Sequence, residues 1–248
     1  MKSWATVLGI IGMGISVTTC FNPPEFPVVP EIQFKDVYFG DEPIVNEQDS
    51  IVVSVSFTDG DGDLGLSSSD DDCISDEICY NQKFYFVEGS NERLTSDQTS
   101  KKLVTYKSKR TIPGYDTLPE LSCLNWEQIK EGLNVKDTVY FQSNSSHSNI
   151  FIDFLIKQPD GSFRLYDWIT EFPFPGCNNG FNGRFPILFK EQPGSPLEGV
   201  INYSLKSSAF NIIFSTRTLK LRVYIKDRAL NVSNVIETPE FTLQQIRR

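Results

Sequence analysis

Apolar and polar residues alternate along several short stretches of this 248-residue chain, which is the pattern of strands with one buried face. Ile51, Val53, Val55 and Phe57 alternate with Val52, Ser54, Ser56 and Thr58. Leu221, Val223 and Ile225 form the inward row of Leu219 to Lys226, and Ile150, Ile152, Phe154 and Ile156 form another. Pro159-Asp160-Gly161 reads as a turn into Phe163 to Trp168, so a hairpin is expected there. Ile201, Tyr203 and Leu205 predict one more strand, and Glu240 to Gln244 a closing one. A short helix is predicted over Trp126 to Glu131, with Asn125 as N-cap, Gln128 completing a capping box and Gly132 ending it. Many short strands with turn signals, no internal repeat and at most one or two short helices predict an all-β, antiparallel β-sandwich.

Length changes that picture. An immunoglobulin-like sandwich needs about 100 residues, and residues 20–248 are far more than that. No Pro/Gly/Ser linker divides residues 32–248, so one immunoglobulin-like domain with a long insertion at about 67–149 is expected. Cys73, Cys79, Cys123 and Cys177 are an even set, read as disulfides that pin the insertion, and sequence leaves all three pairings open. A zinc site is disfavoured because CxxC spacing and paired histidines are missing.

The first residues give an address. Lys2 precedes an apolar and small-residue stretch, Trp4 to Val17, too short for a membrane span and laid out as a secretory signal. The following Val17-Thr18-Thr19-Cys20 resembles the lipobox of bacterial lipoproteins. That resemblance implies a signal peptide over 1–19 and a lipidated Cys20, with Thr19 and Val17 departing from the usual residues. Residues 20–31 then form a tether, since Phe21 to Pro30 holds four prolines and should run extended. Removing residues 1–19 takes one lysine and leaves 22 basic against 32 acidic residues, a net charge of −10. Such a chain is a poor partner for nucleic acid, which needs basic patches.

The acid is localised. Asp59, Asp61, Asp63, Asp70, Asp71, Asp72, Asp76 and Glu77 fall in one segment with no lysine or arginine. Its start, Asp59-Gly60-Asp61-Gly62-Asp63-Leu64-Gly65, sets carboxylates on alternate positions with glycines between, the composition of a loop that curls around a hard cation. It is not an EF-hand, because Leu64 stands where glycine is required, Asp70 where glutamate is wanted, and no helices flank it. Ca²⁺ is expected ahead of Mg²⁺, and a solvated acidic turn is the alternative. In immunoglobulin-like topology the loops leaving the second and penultimate strands share one end. Asp227, with Asn231, is therefore expected beside Asp59, Asp61 and Asp63 as a remote source of oxygen ligands.

"FTDGDGDLGL", "GRFPIL" at 183–188, "PLEGVINYSL" at 196–205 and "IKDRALNVSNVIETPEFTL" at 225–243, together with the Pro-Pro-Glu-Phe-Pro tether, resemble uncharacterised envelope lipoproteins of Bacteroidetes. The last segment is similar to the end of bacterial immunoglobulin-like domains. The resemblance implies an outer-membrane lipoprotein, with the face of that membrane open, and carries no activity. His147 is the single histidine, and no GxSxG or HExxH motif is present. A non-catalytic binding or assembly module with an unidentified protein or glycan partner is expected. A carbohydrate-binding role is the alternative, resting on aromatics such as Phe172, Phe174 and Phe181. A glycoside hydrolase is a minor one, drawing on the acids with Trp126, Trp168 and Tyr115.

Overall fold

The computed structural model describes residues 25–40, 49–66, 73–75, 78–80, 82–97, 99–132, 134–168, 170–172, 180–188 and 194–248. They form an all-β protein whose sheets are antiparallel, with two short helices. One three-stranded sheet places β2 (Ser50–Asp59) between β1 (Glu31–Gly40) and β11 (Leu197–Lys206). A four-stranded sheet runs β10 (Phe163–Leu165), β9 (Ile150–Lys157), β12 (Leu219–Ile225), β13 (Ile236–Glu237). The alternating inward rows meet in one hydrophobic cluster. Ile51, Val53, Val55 and Phe57 come from the first sheet, and Ile152, Phe154, Leu221 and Val223 from the second. Helix α2 (Phe210–Phe214) adds Phe210 and Phe214 to the same core, both fully buried.

Much of the intervening sequence builds a sheet of its own, in the order β6 (Arg93–Leu94), β5 (Lys83–Phe86), β8 (Asn134–Ser143), β7 (Trp126–Glu131). It carries two separate apolar clusters, one around Tyr85 and Phe141 and one around Trp126 and Tyr140. A small ladder, β3 (Cys73–Ser75) with β4 (Ile78–Cys79), sets Cys73 opposite Cys79.

Two expectations are corrected. Residues 126–131 are strand β7, not a helix. Gly132, at φ 62°, sits in the turn where Glu131 pairs with Asn134, and a positive-φ glycine serves a tight hairpin as well as a helix end. Packing decides between them. Trp126 is only 4% exposed, its ring centroid is 5.3 Å from that of Tyr140 and 5.1 Å from that of Tyr106, and its Nε1 donates to Pro119 O. The capping box instead lies at helix α1 (Tyr106–Thr111), between Thr105 and Ser108. The closing strand is β13, ahead of the expected position. Pro239 has no N–H for a ladder, and Glu240 to Gln244 keep only an isolated bridge between Phe241 and Leu219.

Candidate metal centre

Strand β2 ends at Asp59 and strand β12 at Ile225, and the loops that leave them meet. Arg228 donates from Nε to Asp63 O at 3.0 Å, and Ala229 N–H donates to Asp63 Oδ2 at 2.9 Å. One carboxylate oxygen each from Asp59, Asp63 and Asp227 lies within 4.8 Å of the other two. Oxygens bound at 2.3–2.6 Å to one Ca²⁺ are separated by up to about 5 Å, so the three fit around a single ion of that size.

The loop is held in shape locally. Asp63 N–H donates to Asp59 Oδ2 at 3.1 Å, which closes the turn across Gly60, Asp61 and Gly62. Gly62 has φ 65°, and a Cβ there would run into the carbonyl oxygen of Ser195. Beyond the loop, Leu64 and Leu66 turn into the core, where Leu66 N–H donates to Phe185 O and Leu188 N–H to Leu64 O. Asn231 braces the opposite side. Its backbone N–H donates to Asp227 Oδ1 at 2.7 Å and its amide Nδ2 to Asp227 Oδ2 at 2.8 Å. Asn231 thus orients a carboxylate here, with its amide nitrogen turned to Asp227.

Burial without full pairing sets the electrostatics. Asp59 is 0% exposed and Asp227 2%. Among the described residues no donor reaches Asp59 Oδ1, Asp61 Oδ1 or Asp63 Oδ1, although each of these atoms is buried. Desolvation, reinforced by the charges of Asp61, Asp63 and Asp227, pushes the Asp59 carboxyl up to about 7. Desolvation and the charges of Asp227 and Asp61 push Asp63 up to about 6, against the opposing pull of the Ala229 N–H and Arg228. Asp227 is also raised, chiefly by desolvation, while its bonds to Asn231 work the other way. Asp61 lies outside the group of three, but its charge acts on each member of it.

Several residues that hold this end together carry no motif. Asn149, 1% exposed, accepts from Phe185 N–H at 2.9 Å and donates from Nδ2 to Phe185 O at 3.1 Å, while its own carbonyl accepts from Lys226 N–H. Asn234 treats Ile32 in the same way, accepting from its N–H at 2.8 Å and donating to its carbonyl at 2.9 Å. Tyr80 donates its hydroxyl to Arg228 O at 2.6 Å. Asparagine before a strand is the only hint the sequence offers for the first two.

The other candidates fall elsewhere. His147 Nδ1 lies 3.3 Å from Tyr80 O, and burial followed by the nearby Arg184 charge holds its pKa below the ordinary value. Among the described residues the candidate aromatics do not form an exposed row. Phe172 and Phe181 pack against the main core, Trp126 and Trp168 are buried, and Tyr115 is half-buried with its hydroxyl accepting from Gly89 N–H. Phe174, Asp70, Asp71, Asp72, Asp76, Glu77, Cys20 and Cys177 lie outside the described residues, as do the side chains of Cys73 and Cys79. Cys123 is disulfide-bonded. Among the described residues no helix is long and apolar enough to cross a membrane. No family model matches the chain, and no curated protein or solved structure matches it.

Proposed function

We propose that this chain is a non-catalytic, lipid-anchored protein of the bacterial cell envelope whose immunoglobulin-like body is locked at one end by Ca²⁺ and serves binding or assembly. The observation that carries the metal reading is the buried, unpartnered Oδ1 of Asp59 beside Asp63 and Asp227. A buried carboxylate oxygen without a donor is costly unless the group is protonated or meets a cation, and the carboxylates of Asp59, Asp63 and Asp227 converge from loops 164 positions apart in sequence (Asp63 to Asp227). A set of carboxylates supplied wholly by the protein favours Ca²⁺ over Mg²⁺, which demands octahedral geometry and gives up its waters reluctantly. Bound there, the ion would tie the exit of β2 in one sheet to the exit of β12 in the other, making it a structural clamp between layers. Calorimetric titration of residues 21–248 with CaCl₂ and with MgCl₂ tests this. One Ca²⁺ site per chain supports the reading, and no heat from either salt removes it.

The address rests on the signal-like residues 1–19, Cys20 and the proline-rich tether. Export agrees with disulfides pinning the insertion. The register that sets Cys73 opposite Cys79 favours that pair, leaving Cys177 for Cys123. Peptide mapping without reductant reads the connectivity, and a Cys73–Cys123 or Cys79–Cys123 peptide would overturn it.

A further inference from the structure

The tether enters the body at the acidic loop. Pro27 O accepts from Gly60 N–H at 2.8 Å, and a Cβ on Gly60 would collide with the carbonyl oxygens of Phe26 and Pro27, so the chain is packed backbone to backbone at this point. Sheet register fixes which end this is. Glu31 pairs with Thr58 and Leu197 with Asp59, so β1 and β11 both begin at the end where the metal centre lies. Ser50 pairs with Lys206, which puts α2 at the opposite end.

Five exposed apolar side chains collect at the tethered end. Val28 and Val29 follow the Pro27 contact, and Leu230, Val232 and Val235 lie in the segment between β12 and β13. That segment is bound to this end through Asn234 to Ile32 and through Ala229 to Asp63. Leu230 is the one non-glycine among the described residues with positive φ (70°), so the loop holds an apolar side chain in solvent at a backbone cost.

Chain length names the occupant. Seven positions separate Cys20 from Pro27, a reach of at most roughly 25 Å even when fully extended. We infer that the end bearing the metal centre docks on the lipid surface that holds the Cys20 acyl chains, with Val28, Val29, Leu230, Val232 and Val235 as the contact. The inference rests on the lipid-anchor reading of Cys20. The carboxylates here would repel an anionic surface, and a bound cation offsets part of that charge.

The test uses full-length mature lipoprotein in vesicles of phosphatidylethanolamine and phosphatidylcholine, with and without acyl-brominated lipid, in buffer containing Ca²⁺. A tryptophan is introduced as Leu230→Trp, with Val232→Trp as a second reporter, and Ile212→Trp on α2 marks the far end. Trp126 and Trp168 are buried and supply a constant background read from the parent protein. Brominated lipid should remove most of the added emission of Leu230→Trp and Val232→Trp and leave Ile212→Trp unchanged. Equal quenching of all three, or none at positions 230 and 232, overturns the docking. The mass of the N-terminal peptide separates the two failures. Acylated Cys20 with unquenched reporters sinks the docking alone, whereas unmodified Cys20 removes the anchor reading and the docking together.

Discussion

Ala229 N–H donates to Asp63 Oδ2 at 2.9 Å across 166 positions of sequence, and together with the Arg228 bond to Asp63 O it joins the loop after β2 to the loop after β12. Through it the carboxylates of Asp59, Asp63 and Asp227 are drawn into a space small enough for one ion. The same geometry brings three carboxylates close together, an arrangement that protons or a cation would stabilise.

Asp227→Asn removes one of the three converging carboxylates, and its new NH₂ faces an Asn231 donor where Asp227 accepted two bonds. The stabilisation by Ca²⁺ should be lost, and the cation-free protein should change less than the Ca²⁺-bound one, because the lost Asn231 bond is offset by removal of a buried like charge. Differential scanning calorimetry of both proteins, with and without Ca²⁺, reads this. A variant that melts lower in both conditions by the same amount would assign Asp227 a purely structural role.

Acidity should act in an unusual direction. Asp59 at about 7 and Asp63 at about 6 stand above their ordinary 3.8, so the folded state keeps protons that the unfolded chain has already released. Their contribution is complete below the unfolded value and is lost as pH rises through 6 to 7. His147, held below its ordinary value, acts the opposite way in the same window. The comparison therefore needs Asp59→Asn beside the parent. Cation-free parent should lose more stability between about pH 5 and about pH 8 than Asp59→Asn does, as read by denaturant midpoints. Parallel behaviour of the two proteins would contradict it.

Asn149→Ala strips both hydrogen bonds from the Phe185 backbone in a buried site. Phe185 O keeps its bond from Leu66 N–H, so the cost is that of the unpaired buried Phe185 N–H, roughly 1–3 kcal/mol. Urea unfolding in Ca²⁺ measures it, and a loss below about 0.5 kcal/mol would mean that water replaces the side chain at little cost.

Gly62→Ala forces a Cβ toward Ser195 O at a backbone φ of 65°. The loop should rearrange, with about 1–2 kcal/mol of backbone strain alone and weaker Ca²⁺ binding. Titration calorimetry with unchanged affinity would show that the Asp59–Asp63 turn does not shape the site.

The sequence made the strands legible wherever one face is buried, as in β2, β9 and β12, because alternation records burial directly. It also made legible that Asp227 would lie near Asp59, since topology alone joins those loops. It misread 126–131, where a capping box and a glycine suited a helix locally and Trp126 packing on Tyr140 overrode them. The bracing asparagines, Asn149 and Asn234, were invisible because their partners, Phe185 and Ile32, are main-chain groups 36 and 202 positions away. Backbone recognition leaves no pattern in the partner residues, only an asparagine ahead of a strand.

The most direct measurement is thermal unfolding of residues 21–248 in EDTA, then after adding back Ca²⁺ or Mg²⁺. Ca²⁺ at roughly 100 times its dissociation constant should add about 2.7 kcal/mol to the folded state, a clear rise in midpoint that Mg²⁺ does not reproduce. Identical midpoints in EDTA and in Ca²⁺ would contradict the account and leave Asp59, Asp63 and Asp227 as an acidic turn sustained by protons alone.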